Sequence, residues 1–147
     1  MSTRRQAREW AVQLLFQVDL NKHVELDRAF ASFWDSQDDA APSSIEFTEL
    51  LVSGVRASLQ ELDDCITGVA ENWDVGRMGT LDRNVIRMAV YEMLHLMDIP
   101  PVVSINEAVD IAKRYGSPES GRFVNGILDR ICAGLERPAR GVGTSRG

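Results

Sequence analysis

The sequence is poor in the residues that usually mark metal, disulfide and catalytic sites, since its 147 residues include only two cysteines and two histidines. Cys65 and Cys132 are far apart, with no Cys-X-X-Cys spacing and no histidine at ligand spacing, which argues against a disulfide framework or a zinc site. His23 and His95 lie in no recognisable catalytic motif, and no P-loop, zinc-protease, calcium-loop or dinucleotide-binding motif is present. We therefore expect no enzyme activity, no catalytic residues, no metal and no cofactor.

Long apolar segments and alternating, strand-like patterns are also lacking. The most apolar stretch, residues 85–103, is interrupted by charged residues and does not form the run of about 20 apolar residues that a membrane span needs. The N-terminal residues lead into no apolar signal core. These absences predict a soluble, cytoplasmic protein that makes no contact with membranes.

Positive charge is scarce overall and comes almost entirely from one residue type. The formal net charge is −6, and Lys22 and Lys113 are the only lysines among the 16 cationic residues. The acidic balance argues against a protein that binds nucleic acid with its whole surface. Because arginine stacks on bases and forms two-point contacts with phosphates, the positions of the arginines indicate where a local binding surface would lie.

Apolar residues recur at three- and four-residue steps along most of the chain, which predicts an all-α fold of six or seven helices. A capping-box pattern at Ser104 predicts the start of a helix that stops at Gly116, and Ser117 followed by proline predicts the next start. Gly54 and Gly68 predict a bend or break in the third helix, and Gly126 predicts a close approach of two helices. The predicted helical segments are residues 4–21, 24–34, 45–73, 81–97, 104–116 and 117–136.

The helices are expected to form a single domain, residues 1–136, made of two small packed bundles. Polar or glycine-containing breaks at residues 35–44 and 76–79 place the N-terminal bundle at about 1–75 and the C-terminal bundle at about 80–136. Residues 137–147 show no periodicity and are expected to form a disordered tail.

The first helix carries an aromatic residue on the face opposite its apolar stripe. At about 100° per residue, Phe16 lies near 180° from Leu14 and Val18 but close to Arg5. An outward ring beside arginines is what a platform for single-stranded nucleic acid needs, with guanidinium groups for phosphates and a ring for a base. A helix packed on two sides explains the same pattern, and the residues alone leave both interpretations open.

A second candidate surface lies at the predicted helix start, residues 117–123. Free backbone N–H groups at a helix start attract anions, Ser120 and Arg122 add donors, and Phe123 adds a ring. A purely structural interpretation, with a serine cap and a buried phenylalanine, is the favoured one on the residues alone. Arg83 and Arg87 either flank such a surface or pair with a nearby carboxylate such as Asp82 or Glu92, and pairing is the favoured interpretation.

In order and spacing, several segments resemble the NusB family of bacterial transcription antitermination factors. The resemblance spans nearly the whole chain, and the combination of segments is more specific than any one of them. The segments are Arg4-Arg5-Gln6-Ala7-Arg8-Glu9 with Ala11–Phe16, Leu81-Asp82-Arg83 with Ile86–Glu92, Ile105–Val109 with Ala112-Lys113, and Phe123–Asp129.

The resemblance implies an all-helical adaptor that binds boxA-type single-stranded RNA of ribosomal-operon transcripts together with NusE, a small-subunit ribosomal protein. This complex would join other Nus factors on RNA polymerase, so that elongation passes terminators. Phe16 and Asp82 are the predicted NusE contacts. The family often has tyrosine at the position of Phe16, so a hydroxyl hydrogen bond is missing here while ring stacking is retained. The predicted RNA-binding residues are Arg4, Arg5, Arg8, Phe16, Arg87, Ser117, Glu119, Ser120, Arg122 and Phe123.

Three alternatives compete with this interpretation. A helical interaction module, such as a homodimer whose interface covers Phe16 and the arginines, fits the same surface. The helical domain that accompanies ribosomal-RNA cytosine methyltransferases resembles the same family, but the 147 residues leave no room for a methyl-donor domain. DNA binding through a helix-turn-helix is disfavoured, because the most exposed predicted helix is the first one.

Overall fold

The computed structural model describes residues 3–70 and 75–135, apart from the side chain of residue 77. These residues form seven α-helices and one short 3-10 helix, Val75–Arg77, and they contain no strand. The all-α prediction is confirmed. The predicted tail, residues 137–147, lies outside the described residues. The helices are α1 (Arg4–Leu20), α2 (Leu26–Asp35), α3 (Pro42–Ala57), α4 (Leu59–Val69), α5 (Thr80–His95), α6 (Pro101–Tyr115) and α7 (Pro118–Ala133).

Contacts between the helices divide the chain into two units, residues 1–57 and residues 58–147. In the first unit α3 packs along α1, and α2 contacts α1. In the second unit α5 is central and packs against α4, α6 and α7. The division differs from the predicted bundle boundary near residues 75–80, because α4 packs with α5 and α7 within the second unit.

A tight seam between α1 and α3 holds the first unit together. Ala7 and Leu51 are completely buried, and so is the polar side chain of Thr48. The Thr48 hydroxyl lies 2.8 Å from the backbone oxygen of Ser44 and 3.2 Å from that of Ala7. Small side chains therefore let the two helices approach closely while the buried hydroxyl keeps hydrogen-bond partners.

The second unit is built around α5, whose residues 84–90 are all buried. A helix that is buried on every side is expected at the centre of a bundle, as its apolar pattern predicted. Glu92 on this helix is 1% exposed and accepts a hydrogen bond of 2.7 Å from the hydroxyl of Ser104 in α6. This contact ties α5 to α6 and gives the buried carboxylate a polar partner.

Two predicted features of helix ends are wrong. The break in the segment 45–73 falls at Ser58, between α3 and α4, whereas Gly54 lies inside α3 and Gly68 inside α4. The helix predicted to begin at Ser104 begins at Pro101 instead, since proline is well suited to the first turn. Ser104 is buried in α6, and its hydroxyl serves a contact between helices rather than a cap.

Glycines in α7 also differ from expectation. Gly126 is exposed, and a Cβ added there would meet no atom within 4 Å, so the predicted close approach does not occur at this residue. It occurs at Gly121, where an added Cβ would lie 2.5 Å from Cγ of Lys113. The predicted start of α7 at Ser117 and Pro118 is confirmed.

Among residues 3–70 and 75–135, no helix combines the length and apolar character that crossing a membrane would require.

Candidate nucleic-acid interface

Arginine side chains occupy the first two turns of α1. The hydroxyl of Thr3 caps this helix by accepting a hydrogen bond of 3.1 Å from the backbone N–H of Gln6. Arg4 is exposed and Arg5 is half-exposed, but Arg8 is only 3% exposed. Arg8 therefore has little surface to offer a phosphate, whereas Arg4 and Arg5 reach the surface, and the RNA contacts of all three stay predictions.

The guanidinium groups of Arg4 and Arg8 both face the ring of Phe47 in α3. Cζ of Arg4 lies 4.3 Å from the ring centroid, and Cζ of Arg8 lies 5.4 Å from it. Both distances fall within the range of about 6 Å over which a cation is attracted to an aromatic face. Since Phe47 is buried, the core fixes its ring, and the ring in turn orients the two arginines. The sequence did not identify Phe47, because a phenylalanine in an apolar stripe signals only core packing.

Phe16 faces away from the buried stripe of α1, as its position on the helix predicted. Its side chain is 38% exposed, and Leu20, one turn later on the same face, is 68% exposed. The two halves of α1 differ in exposure, and the binding platform at Phe16 stays a prediction. Every residue from Ala7 to Val12 is buried, whereas the second half of the helix has one exposed face with Phe16 at its centre.

The start of α7 is held by a serine cap. The hydroxyl of Ser117 accepts a hydrogen bond of 3.1 Å from the backbone N–H of Ser120. Arg122 and Glu119 are both exposed and lie 3.6 Å apart, measured from Nη2 to Oε2. Phe123 is half-buried. The structure therefore gives Ser117 a structural role as a cap and leaves Glu119 and Arg122 on the surface.

Arg87 is buried and paired with a carboxylate. Its Nε and Nη2 donate hydrogen bonds of 2.8 Å and 2.9 Å to the two carboxylate oxygens of Asp63, a two-point pair between α5 and α4. Pairing was the favoured interpretation, and it is confirmed with Asp63, a partner that the sequence did not single out. With 7% exposure, Arg87 has little surface to offer RNA, and its predicted RNA contact remains a prediction.

The remaining predicted residues of the second unit lie at the start of α5. Asp82 is half-exposed in the first turn of that helix. The guanidinium of Arg83 donates to the backbone oxygens of Met78 at 2.9 Å and Val75 at 3.3 Å, so it supports the chain that enters α5. The structure thus groups Arg4 with Arg8, Ser117 with Ser120, and Arg87 with Asp63.

Histidine, cysteine and carboxylate side chains are the groups that could support catalysis or metal binding. No group of three histidine, cysteine or carboxylate side chains suited to a metal ion occurs among them. Nε2 of His95 lies 2.7 Å from Oε1 of Glu61, and its ring stacks on Tyr91 with centroids 5.0 Å apart. Burial raises the pKa of the Cys65 thiol, with a further contribution from the Glu61 carboxylate, so thiolate formation is disfavoured there.

Exposed arginines and a partly exposed aromatic ring at helix surfaces, on a chain of net negative charge, are features that a local nucleic-acid-binding adaptor uses. Comparison with known proteins identifies the family. The NusB family model matches residues 5–133, and the chain belongs to this family.

Relatives cover nearly the whole chain. The Transcription antitermination protein NusB of Anaeromyxobacter sp. (strain Fw109-5) is 46% identical over 132 residues, which are 90% of this chain and 91% of that protein. A solved structure of T. maritima NusB is 37% identical, with a TM-score of 0.81 and coverage of 90% of this chain and 92% of that one. A crystal structure of the antitermination factors NusB and NusE in complex with dsRNA is 26% identical, with a TM-score of 0.81 and coverage of 90% and 97%.

Proposed function

We propose that the chain is an RNA-binding transcription antitermination factor that acts as an adaptor and performs no catalysis. The observation that carries this proposal is the family match over residues 5–133, together with 46% identity to a protein named for transcription antitermination. The resemblance found in the sequence points to the same function through independent segments of the chain.

The chemistry of the surface of α1 supports RNA as the ligand. Arg4 and Arg5 offer guanidinium groups to phosphates, and Phe16 offers a partly exposed ring on which a base can stack. Base stacking on an aromatic side chain is worth about 1 to 3 kcal/mol, so one ring with a few phosphate contacts gives useful affinity without a basic overall charge. Exposed Arg122 adds a further cation in the second unit.

The proposed RNA is a boxA-type single strand of ribosomal-operon transcripts, and the proposed protein partner is NusE. The solved complex of NusB and NusE with dsRNA supports an assembly of this kind. Phe16 and Asp82 are the proposed NusE contacts. Through NusE and other Nus factors the chain would reach RNA polymerase in the cytoplasm and promote elongation past terminators.

A titration with two RNAs tests this function. Fluorescently labelled boxA RNA and a scrambled RNA of equal length are titrated with the protein, each with and without purified NusE. We expect tighter binding of boxA than of the scrambled RNA, and a further gain when NusE is present, since an adaptor binds both ligands together. Failure of both RNAs to bind, even with NusE, would overturn the proposal.

Self-association is a second candidate, favoured by the exposed apolar pair Phe16 and Leu20 on one face of α1. If a homodimer covers this face, RNA and self-association compete. Light scattering would then show dissociation when RNA is added. A dimer that stays intact with RNA bound would show that the dimer interface and the RNA-binding surface are different.

A further inference from the structure

A polar groove lies between α6 and α7 in the second unit. Its volume is about 410 Å³, within the range of about 300 to 1,000 Å³ that is typical of small-ligand sites. The sequence analysis did not identify Asn106 or Asn125, the two asparagines of this groove, as candidate site residues. The polar and glycine residues that line it are Asn106, Asp110 and Lys113 from α6, and Gly121, Arg122 and Asn125 from α7.

The groove depends on the close approach at Gly121. A Cβ added at this glycine would lie 2.5 Å from Cγ of Lys113, which is closer than real Cβ contacts allow, and a tight 3.0 Å from Cε. Glycine thus leaves room for the stem of Lys113 to lie against α7. Lys113 is held in this way on the same groove as Arg122, which places two cations on its wall.

The lining has a charged end and an amide end. Residues 116–117 connect α6 to α7, so Lys113 and Arg122 lie near this connection and Asn106 lies about 10 Å further along α6, at 1.5 Å per residue. Asn125 is likewise one turn further along α7 than Gly121. Phosphate-binding groups are therefore separated along the groove from groups that can hydrogen-bond a base.

The two amides are available for a ligand. Asn106 and Asn125 are exposed, and their side chains make no hydrogen bond to another part of the described chain. Each amide offers a donor pair and an acceptor oxygen, the combination that hydrogen-bonds the edge of a nucleobase. Asp110 lies between the amide end and the charged end, and its carboxylate is an acceptor only.

We propose that this groove binds one nucleotide of single-stranded RNA, with its phosphate towards Lys113 and Arg122 and its base edge towards Asn106 and Asn125. The carboxylate of Asp110 already has one interaction within the chain, and its remaining acceptor sites accept a hydrogen bond from an exocyclic amino group and repel carbonyl oxygens. The groove therefore selects a base with an amino group, such as cytosine, over uracil, which has none. This subsite rests on the proposed RNA-binding function and adds base selectivity to it.

Nuclear magnetic resonance with free nucleotides tests the subsite directly. The side-chain amide signals of Asn106 and Asn125 in the full chain are followed during separate titrations with CMP, UMP and inorganic phosphate. We expect both signals to move with CMP, to move less with UMP, and to stay in place with phosphate alone. Equal shifts with all three additions would indicate an anion effect and would overturn base recognition.

Variants test the subsite in RNA. Asn125→Ala is expected to weaken binding of a boxA-length RNA with a cytosine at the recognised position by about 5- to 10-fold, the lower end of a two-point amide–base contact. Binding of an all-uracil RNA should hardly change. Gly121→Ala pushes Lys113 away from the groove and should weaken the binding of both RNAs. Gly126→Ala is the matched control on the same helix, with open space around it, and should leave the binding of both RNAs unchanged.

The outcomes separate this inference from the proposed function. The unmodified chain could bind RNA with an affinity that neither Asn125→Ala nor Gly121→Ala changes. This result would overturn the proposed nucleotide subsite and leave the proposed RNA-binding function standing. Amide shifts with CMP in a chain that binds no RNA would indicate a site for free nucleotides and would overturn both proposals. Circular dichroism and melting temperature show whether each variant is folded before its affinity is compared.

Discussion

At the scale of the residue, the ring of Phe47 connects the protein core to the candidate interface. It packs inside the first unit and faces the guanidinium groups of Arg4 and Arg8. A cation over a fixed ring loses less conformational freedom on binding a phosphate than a freely rotating arginine does. Phe47 is therefore a positioning residue for the arginines of α1.

Substitution of Phe47 by leucine should separate this role from core packing. An apolar side chain is kept, so we expect a loss of about 1 kcal/mol in the free energy of unfolding. RNA binding should weaken by about 2- to 5-fold, because the ring no longer holds the exposed guanidinium of Arg4, an attraction worth about 0.5 to 1 kcal/mol. Equilibrium RNA titration and chemical denaturation measure the two effects. Phe47→Tyr keeps the ring and should retain RNA affinity, and a leucine variant with unchanged affinity would limit Phe47 to packing.

Phe16 differs from Phe47 because a large part of its ring is exposed. Phe16→Ala should cost less folding stability than the about 3 to 5 kcal/mol of a fully buried phenylalanine. It should cost about 1 to 3 kcal/mol of RNA binding if a base stacks on the ring. RNA and NusE titrations are both needed, since loss of NusE affinity alone would assign the ring to the protein partner. A large fall in the denaturation midpoint with both affinities intact would assign it to the core.

Glu119 places a negative charge in the first turn of α7, where it favours the helix dipole by about 0.3 to 1 kcal/mol. It also lies 3.6 Å from the guanidinium of Arg122. Glu119→Gln should tighten RNA binding by about 3- to 10-fold at low salt, because it removes a repulsion to phosphates and releases Arg122 from an exposed ion pair. Stability should fall slightly. Titrations at two salt concentrations measure the gain, which should shrink as salt rises, and weaker binding would place the RNA elsewhere.

At the scale of the element, the ion pair between Arg87 and Asp63 fixes α5 to α4. Asp63→Asn would replace the charged half of this two-point pair with a neutral amide, which costs up to about 3 kcal/mol and less here because the Asp63 side chain is a quarter exposed and Arg87 has a further interaction. We expect a clear fall in the denaturation midpoint, with RNA affinity changed little. Asp64→Asn, the exposed neighbouring carboxylate, is the matched control and should leave the midpoint nearly unchanged. Stronger RNA binding by Asp63→Asn would show that Arg87 contacts RNA once it is released.

Periodicity predicted which segments are helical because each helix buries one apolar stripe, and this pattern is local in sequence. The ends that depend on local chemistry, such as Ser117 with Pro118, were also predictable. The break at Ser58 was not, since glycine propensity favoured Gly54 and Gly68 by only about 1 kcal/mol each and packing offsets that amount. The capping pattern at Ser104 was misleading, because a hydroxyl that can cap a helix can equally bond a buried carboxylate on another helix.

At the scale of the whole molecule, the fold class and the candidate surface of α1 followed from the sequence, but partners distant in sequence did not. The pairing of Arg87 with Asp63 and the contact of Arg4 with Phe47 join residues 24 and 43 positions apart. Nothing in a single sequence marks such pairs, because any of several carboxylates or aromatic residues would serve equally well. The contacts of α4 likewise placed the division of the chain after Ala57 instead of near residue 75.

Because the net charge is −6, the overall charge of the chain does not attract RNA. The salt dependence of RNA binding therefore measures how many arginines contact phosphates directly. Each phosphate contact on a single strand contributes about 0.7 to the slope of log affinity against log salt. The double variant Arg4→Ala with Arg5→Ala should flatten this slope by about 1.4, because both side chains reach the surface. Adding Arg8→Ala should reduce stability but hardly change the slope further, since Arg8 is buried against Phe47. Arg28→Ala removes an exposed arginine of α2 and is the control. If the control flattens the slope as much as the double variant does, the dependence reflects overall charge, and the start of α1 is not the RNA site.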